Sequence, residues 1–520
     1  MIDLLSAEFG TISDAIRAHA AQDPQRRALI EGDRVMDYAA LDTLLDQVAS
    51  TLQREGIGAG DSIAICATMS IEYAAVFLGT LRAGLVVAPL APGSAPSSLA
   101  RMVADASARL VFTDAASIDV VGLADPNSPS GTVPRIALDG STAGQALHAW
   151  LLPPGTKPKP VAVEPAWPFN IIYSSGTTGE PKGIVQSHGM RWAHVRRVGL
   201  YQYGPQTVTV LSTPLYSNTT LVVFFPTLAF GGTVVLMPKF DAADYLRLAQ
   251  TRRATHTMLV PVQYQRLMAR PDFDAYDLSS FVLKFSTSAP FNAAIKADVL
   301  KRWPGGLIEF YGMTEGGGTC ILEAHLHPNK LHTVGRAAEG HDIRLIDDGG
   351  KEVPSGEVGE IVGHSGGMMI GYHRQPEKTC EAEWFDAAGK RFIRTGDVGR
   401  FDADGFLTLM DRKKDMVISG GFNVYPSDLE AVLREHPVVL EAAVVGVPSE
   451  QWGETPVAFV VTKPGASASA EELMQFVNSQ VGKTQRVTAL RFLDELPRSA
   501  IGKVQKLVLR EQFAANYPLG

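Results

Sequence analysis

IIYSSGTTGEPKGIVQSH, residues 171–188, is the stretch on which the reading of this chain turns. An apolar run stops abruptly in hydroxyls and glycines, and a proline and a lysine follow. Ser174, Ser175, Gly176, Thr177, Thr178 and Gly179 offer backbone N–H groups without bulk, four of them add hydroxyls, and Lys182 adds positive charge. Oriented N–H groups beside a cation suit a polyphosphate. A Walker loop needs GxxxxGK followed by Ser or Thr, whereas here the order is Gly176, Gly179, Lys182, Gly183, so the P-loop kinase or ATPase reading fails. Taken alone, the stretch fits a polar surface turn after a buried strand equally well.

The surroundings narrow the choice. A chain of 520 residues is too long for one core and implies two or more domains. With 45% hydrophobic residues, 20% charged and a net charge of -8, it has no bulk attraction to nucleic acid or an anionic membrane. Cys66, Cys320 and Cys380 lie far apart with no CxxC spacing, which excludes a zinc knuckle and disfavours a disulfide framework. A cytoplasmic setting is expected, because MIDLLSAEFG has no basic segment or small-residue cleavage site of a secretory signal. The most apolar window, residues 221–237, contains Pro226, Gly231 and Gly232 and falls short of the roughly 20 residues a membrane span needs. It reads as buried helix, turn and strand.

Residues 62–67 (SIAICA) suit a buried strand, Ser70 can cap a helix with Ile71, Ala74, Ala75, Leu78 and Leu81 at helical spacing, and Gly84 ends it. Strand at 85–88, helix at 98–108 and strand at 110–113 follow, a βαβ alternation that calls for a parallel sheet covered by helices. The proline- and lysine-rich stretch 153–168 is an exposed connection, and residues 343–361 alternate as a small β-rich subdomain. The charge cluster DRKKD, residues 411–415, suits a solvated hinge. Beyond it, strands at 441–447 and 457–461 with helices at 428–435 and 470–481 make a small α+β domain.

Four further segments stand in order behind the first: YGMTE (311–315), RTGDVGRFDADGF (394–406), DRKKDMVISGGFNVYPSDLE (411–430) and PRSAIGKVQK (497–506). With YSSGTTGEPKG (173–183), they resemble the adenylate-forming superfamily, in its acyl-CoA synthetase or acid–CoA ligase branch. The resemblance implies an α/β fold: a large N-terminal domain, 1–411, of two parallel-type α/β sheets plus a β-rich subdomain, and a small mobile α+β lid, 412–520. It implies an ATP-dependent, AMP-forming enzyme that converts a monocarboxylic acid to acyl-AMP and passes the acyl group to a thiol.

Such chemistry sets a carboxylate against a triphosphate, so cations and oriented donors are required where charge develops. By the resemblance, Lys503, Glu315 and Thr314 are catalytic, Lys503 being the mobile cation and Glu315 the ligand of Mg²⁺, a hard ion that prefers carboxylate and phosphate oxygen. The alternative for Lys503 is a solvated lysine like Lys506. Tyr311, Gly312 and Met313, with Ser288, Ala289 and Pro290, would border adenine; Asp397 and Arg412 would hold the ribose, an ion pair being their alternative. Lys414 would be the hinge, and Gly420, Gly421 and Trp452 would border coenzyme A. The acid pocket would use Tyr216, Ser217, Tyr264, Ser286, Thr287, Gly316, Gly317 and Gly318, with Phe224 and Phe225 nearby in sequence.

Departures matter too. Where many relatives have a histidine, Ser217 follows Tyr216, and Gln485–Arg486–Val487 replaces a frequent lysine-x-proline, with Lys483 nearby. Residues 215–219 contain no aspartate to pair an α-ammonium, which disfavours amino acids. No basic residue occupies the pocket positions, which argues against a dicarboxylate; aryl, arylpropenoic and fatty acids are expected. Coenzyme A is the expected thiol. A stand-alone enzyme loading a carrier protein, and a catalytically silent nucleotide-binding relative, are the alternatives. No nucleic-acid partner is expected.

Overall fold

The computed structural model describes residues 3–117, 133–174, 182–412, 415–419, 422–449, 452–482, 485–499 and 502–516. The chain divides into two compact units, one of Met1–Leu331, Ala337–Asp342 and Gly363–Ile393, the other of His332–Arg336, Ile343–Val362 and Arg394–Gly520.

The first unit holds two mixed sheets. One runs in the order Gly371–Tyr372, Lys182–Ser187, Pro168–Ser174, Val86–Pro89, Ser62–Cys66, Val111–Thr113, Arg135–Ala137, Gln145–Ala146. From Pro168–Ser174 to its far edge every pairing is parallel, as the alternation at 62–113 predicts. All residues of Ser62–Cys66 are buried, Ser70 Oγ accepts from Tyr73 N at 3.1 Å to start the helix Ile71–Arg82, and Gly84 follows it at φ +73°. Residues 153–167 stay irregular and are tied back to the helix Tyr38–Arg54, Gln53 exchanging two hydrogen bonds with the backbone of Lys159.

The second sheet aligns Gly306–Tyr311, Leu283–Ser286, His256–Leu259, Val208–Leu211, Thr233–Leu236 and Arg27–Glu31 in parallel, with Cys320–Glu323 and Arg34–Asp37 antiparallel at its flanks. Window 221–237 forms a helix, Asn218–Ala229, then a turn through Gly231 at φ +80° and the strand Thr233–Leu236. That helix and Ile71–Arg82 are buried nearly all round, as their uninterrupted apolar sequences require. They join the two sheets in one core, with Phe225 edge-on to Phe169 at 5.2 Å and tilted against Phe77 at 5.6 Å. Phe224 and Phe225 are therefore core residues. Among the described residues no helix is long and apolar enough to cross a membrane.

In the second unit, Val439–Ser449 pairs antiparallel with Gly453–Thr462, and Ala489–Phe492 joins the latter in parallel. Helices Pro426–Glu435 and Ala470–Asn478 place Leu429, Leu433, Leu473 and Val477 on one face of this sheet. Lys506–Asn516 covers the other with Leu509 and Phe513. The strands run longer than their apolar centres suggest because the ribbon carries their ends.

Candidate active site

Val208–Leu211, His256–Leu259, Leu283–Ser286 and Gly306–Tyr311 are parallel neighbours, so the segments that follow them emerge along one edge of the sheet. Ligands of open α/β sheets bind outside such strand ends. Tyr216 and Ser217, Tyr264, residues 287–290, and residues 312–315 follow these four strands in turn. Positions a hundred residues apart in sequence thereby share one edge.

Ser288 has φ +83°, a left-handed conformation that costs a non-glycine residue about 1–3 kcal/mol and clusters at functional sites. Its hydroxyl bonds Thr219 Oγ1, which fixes the strained turn. Thr287 and Ala289 are half-buried, and Pro290 is exposed. Tyr311 is buried at the end of its strand; Gly312 is exposed, and Met313, Thr314 and Glu315 are half-buried.

Glu315 Oε1 accepts the Tyr372 hydroxyl at 3.0 Å, and Lys182 Nζ lies 5.2 Å from the centroid of the same ring. Lys182 pairs with Ser174 between the antiparallel strands Pro168–Ser174 and Lys182–Ser187, and Tyr372 pairs with Ile184 on the other side of the latter. Burial, then the Glu315 charge, push the Tyr372 phenol up, so it remains a donor. Sequence reasoning missed Tyr372; its position directly across from residue 184 is a tertiary fact.

The Thr314 carbonyl accepts from Gln186 Nε2 at 2.7 Å. Gln186 Oε1 receives Asn170 Nδ2 at 3.1 Å and the Arg191 guanidinium, which also donates to Asn170 Oδ1 at 3.0 Å and Asn218 Oδ1 at 2.8 Å. Arg191 is buried among amides and the faces of Phe169 and Phe225, and desolvation lowers its pKa to about 9. This network was also not singled out in sequence, although a run of His, Arg and Trp on an otherwise core-facing helix, His188–Val198, is a signal for it.

Gly316 and Gly317 sit at φ +80° and +79°; a β-carbon on Gly316 would come 2.0 Å from Gly367 O, and one on Gly317 2.9 Å from Gly363 O. The volume these glycines give up is thus filled by backbone, and Gly363 packs in turn against Gly318 N. Ser217 is buried and caps the helix Asn218–Ala229, while Tyr216 is half-buried. Tyr264 and Ser286 are fully buried; the Tyr264 hydroxyl donates to Phe285 O at 2.9 Å and its ring stacks on Phe291.

In the second unit Asp397 and Arg412 face each other across paired strands, Arg412 Nε lying 3.2 Å from Asp397 Oδ1. Both are thus joined in the ion pair named as their alternative. Lys503 is exposed on a tight reversal in which Ser499 N donates to Lys503 O at 2.8 Å and Gly502 takes φ +76°. The comparison with Lys506 does not hold, since Lys506 is an enclosed cation 2.9 Å from Glu430 Oε1 and 3.8 Å from Asp411 Oδ1. Nor is Asp411 a solvated charge: its carboxylate accepts Ser427 N at 2.9 Å and burial pushes it up. Trp452 is half-buried, its backbone N–H donating to Ser449 Oγ at 3.4 Å. Ser175, Gly176, Thr177, Thr178, Gly179, Lys414, Gly420, Gly421 and Lys483 lie outside the described residues, as does the side chain of Ser174.

Among the described residues no three His, Cys, Asp or Glu side chains gather as a metal cage. Glu315, a single carboxylate hydrogen-bonded to Tyr372, fits Mg²⁺, which is commonly held by one or two carboxylates plus substrate phosphates.

Residues 16–373 match the family described as AMP-binding enzyme, and residues 428–503 match the AMP-binding enzyme C-terminal domain. An indoleacetate–CoA ligase of Aromatoleum aromaticum is 32% identical, covering 97% of this chain and 98% of that protein. A fatty acid–[acyl-carrier-protein] ligase, ScoC, of Streptomyces coeruleorubidus is 30% identical over 97% of each. The crystal structure of ATP-bound MatB from Rhodopseudomonas palustris superposes with a TM-score of 0.87 at 30% identity, covering 97% of this chain and 99% of that one. The chain belongs to the AMP-binding, adenylate-forming enzyme family, on its acyl-CoA synthetase branch. It is an AMP-forming acid–thiol ligase by class.

Proposed function

We propose that the chain activates a hydrophobic or aromatic carboxylic acid with ATP and transfers the acyl group to coenzyme A. The observation that carries this reading is the approach of Lys182 and Glu315 to one tyrosine, Tyr372, where the paired strands Pro168–Ser174 and Lys182–Ser187 flank residues 175–181 in sequence. A cation and a carboxylate held there suit a metal–triphosphate substrate.

One carboxylate oxygen of the acid attacks the α-phosphorus of ATP, the bond to the bridging oxygen breaks, and pyrophosphate leaves with its electron pair. Lys503 would stabilise the charge on the reacting phosphate when the lid, residues 412–520, turns about Lys414 toward the remainder, 1–411. Thr314 and Lys182 would bind phosphate oxygens, Tyr311 and residues 288–290 the adenine, and Asp397 with Arg412 the ribose. Mg²⁺, on Glu315, would supply charge neutralisation. In the second half-reaction the thiol sulfur, deprotonated, attacks the acyl carbonyl and AMP leaves. Gly420, Gly421 and Trp452 would border that thiol.

Transfer to a carrier protein is a second reading, favoured by the similarity to ScoC. Catalytic silence is less well supported, because Lys182, Glu315, Asp397 and Lys503 are all present. Incubation with ATP, Mg²⁺, coenzyme A and an acid panel, read by mass spectrometry, tests the proposal. It expects AMP and an acyl-CoA in equal amounts; acid-dependent acyl-AMP without thioester supports the carrier reading, and the absence of both acyl-AMP and acid-dependent AMP overturns both.

A further inference from the structure

Helix His188–Val198 carries Arg191, His194 and Arg197. Arg191 reaches the Thr314 carbonyl through Gln186. His194 Nε2 lies 3.6 Å from a β-carbon built on Gly367, the residue whose carbonyl abuts Gly316. Arg197 Nη1 lies 3.2 Å from His341 Nε2, and His341 Nδ1 lies 2.9 Å from Thr319 N. Two guanidiniums and two imidazoles are therefore connected to residues 314–319, His341 directly and the other three through one intervening residue.

This cluster has too many donors. A neutral imidazole accepts at one nitrogen only. If His341 Nδ1 accepts the Thr319 N–H, its Nε2 carries a hydrogen and confronts Arg197, a second donor; the other tautomer strands Thr319 instead. Arg197 Nε and His194 Nδ1 are sealed from water with no partner, and no carboxylate among the described residues pairs with Arg191, His194 or Arg197. Burial lowers the pKa of both His194 and His341, and the neighbouring guanidiniums lower them further. His194 and Arg197 nevertheless keep accessible surface. A buried, donor-rich, acceptor-poor group is costly unless something negative is placed against it.

We propose that the acid substrate carries, besides the carboxylate that is activated, a second anionic group, a carboxylate or sulfonate, seated against Arg197 and His194. This rests on the acid-ligase reading and departs from the sequence argument against a dicarboxylate, which considered only the loop positions and not the helix His188–Val198. The aromatic or apolar part of the acid then spans the interval between the two anions.

The test uses matched acids, 3-phenylpropanoate and its para-carboxylate and para-sulfonate derivatives, with acid-dependent pyrophosphate release as readout. The wild-type enzyme is expected to favour a dianionic acid over its neutral-tailed counterpart by at least about tenfold in kcat/KM, the scale of one charge-assisted hydrogen bond. Arg197→Met should bring that ratio near one, and Arg197→Lys should retain most of it. Equal or better use of the neutral-tailed acid by the wild type overturns the proposal, as does a ratio untouched in a folded Arg197→Met enzyme. Should that variant not fold, the wild-type ratio alone decides. Pyrophosphate release with the neutral-tailed acid only would defeat this inference and leave the ligase reading standing, whereas the absence of release with a broad acid panel would defeat the ligase reading.

Discussion

Tyr372 joins Glu315 and Lys182 through the two parts of one side chain: its hydroxyl lies 3.0 Å from Glu315 Oε1 and its ring 5.2 Å from Lys182 Nζ. Tyr372→Phe removes the first contact and keeps the second. A hydrogen bond to a charged group is worth about 1.5–3 kcal/mol, so adenylation should slow by roughly 10-fold or more, with Tyr372→Ala slower still. Acid-dependent pyrophosphate–ATP exchange measures both. Equal rates for Tyr372→Phe and wild type would show that the hydroxyl has no part in positioning Glu315.

Gln186 separates stability from activity. Gln186→Met leaves the Thr314 carbonyl, one Arg191 donor and one Asn170 amide donor unpaired inside the protein, which should cost about 2–4 kcal/mol in chemical denaturation. Gln186→Glu keeps an acceptor for Arg191 but turns an acceptor toward the Thr314 carbonyl. Its stability should stay nearer wild type while exchange activity falls. The reverse order of the two variants in stability would contradict the network.

His188 is buried against Phe169 with Nε2 unpartnered, and desolvation lowers its pKa from 6.5 to about 4. A folded-state value below the unfolded one means that the unfolded chain binds the extra proton. The contribution of His188 is therefore intact above pH 6.5 and is lost as pH falls toward 4, about 3 kcal/mol in all. His188→Leu should flatten the fall of denaturation free energy across that window relative to wild type. His341, also lowered to about 4, keeps part of the slope. Parallel wild-type and variant profiles would show that His188 is not held neutral by the fold.

Local patterns carried much of the fold. The capped helix after Ser70, the breaks at Gly84 and Gly231, and the buried strand of residues 62–67 each follow from spacing and backbone preference within a dozen residues. The core role of Phe224 and Phe225 was less legible, since an apolar residue looks the same whether it faces a ligand or another sheet. The resemblance places Gly316 and Gly317 in the acid pocket, yet their backbone conformation and the approach of Gly363 and Gly367 demand glycine regardless of any ligand. Arg191, His194 and Arg197 escaped notice because only the fold brings His341 and Gly367 against them.

Lys503→Ala should separate the two half-reactions, measured in one assay series with a competent acid: pyrophosphate–ATP exchange for the first, thioester formation from supplied acyl-AMP and coenzyme A for the second. Loss of one charged donor to the developing phosphate charge should cut exchange by at least roughly 100-fold, on the scale of 3 kcal/mol or more, while thioester formation persists. An equal fall in both half-reactions, or exchange at the wild-type rate, would contradict the role given to Lys503 and with it the adenylation mechanism drawn for this chain.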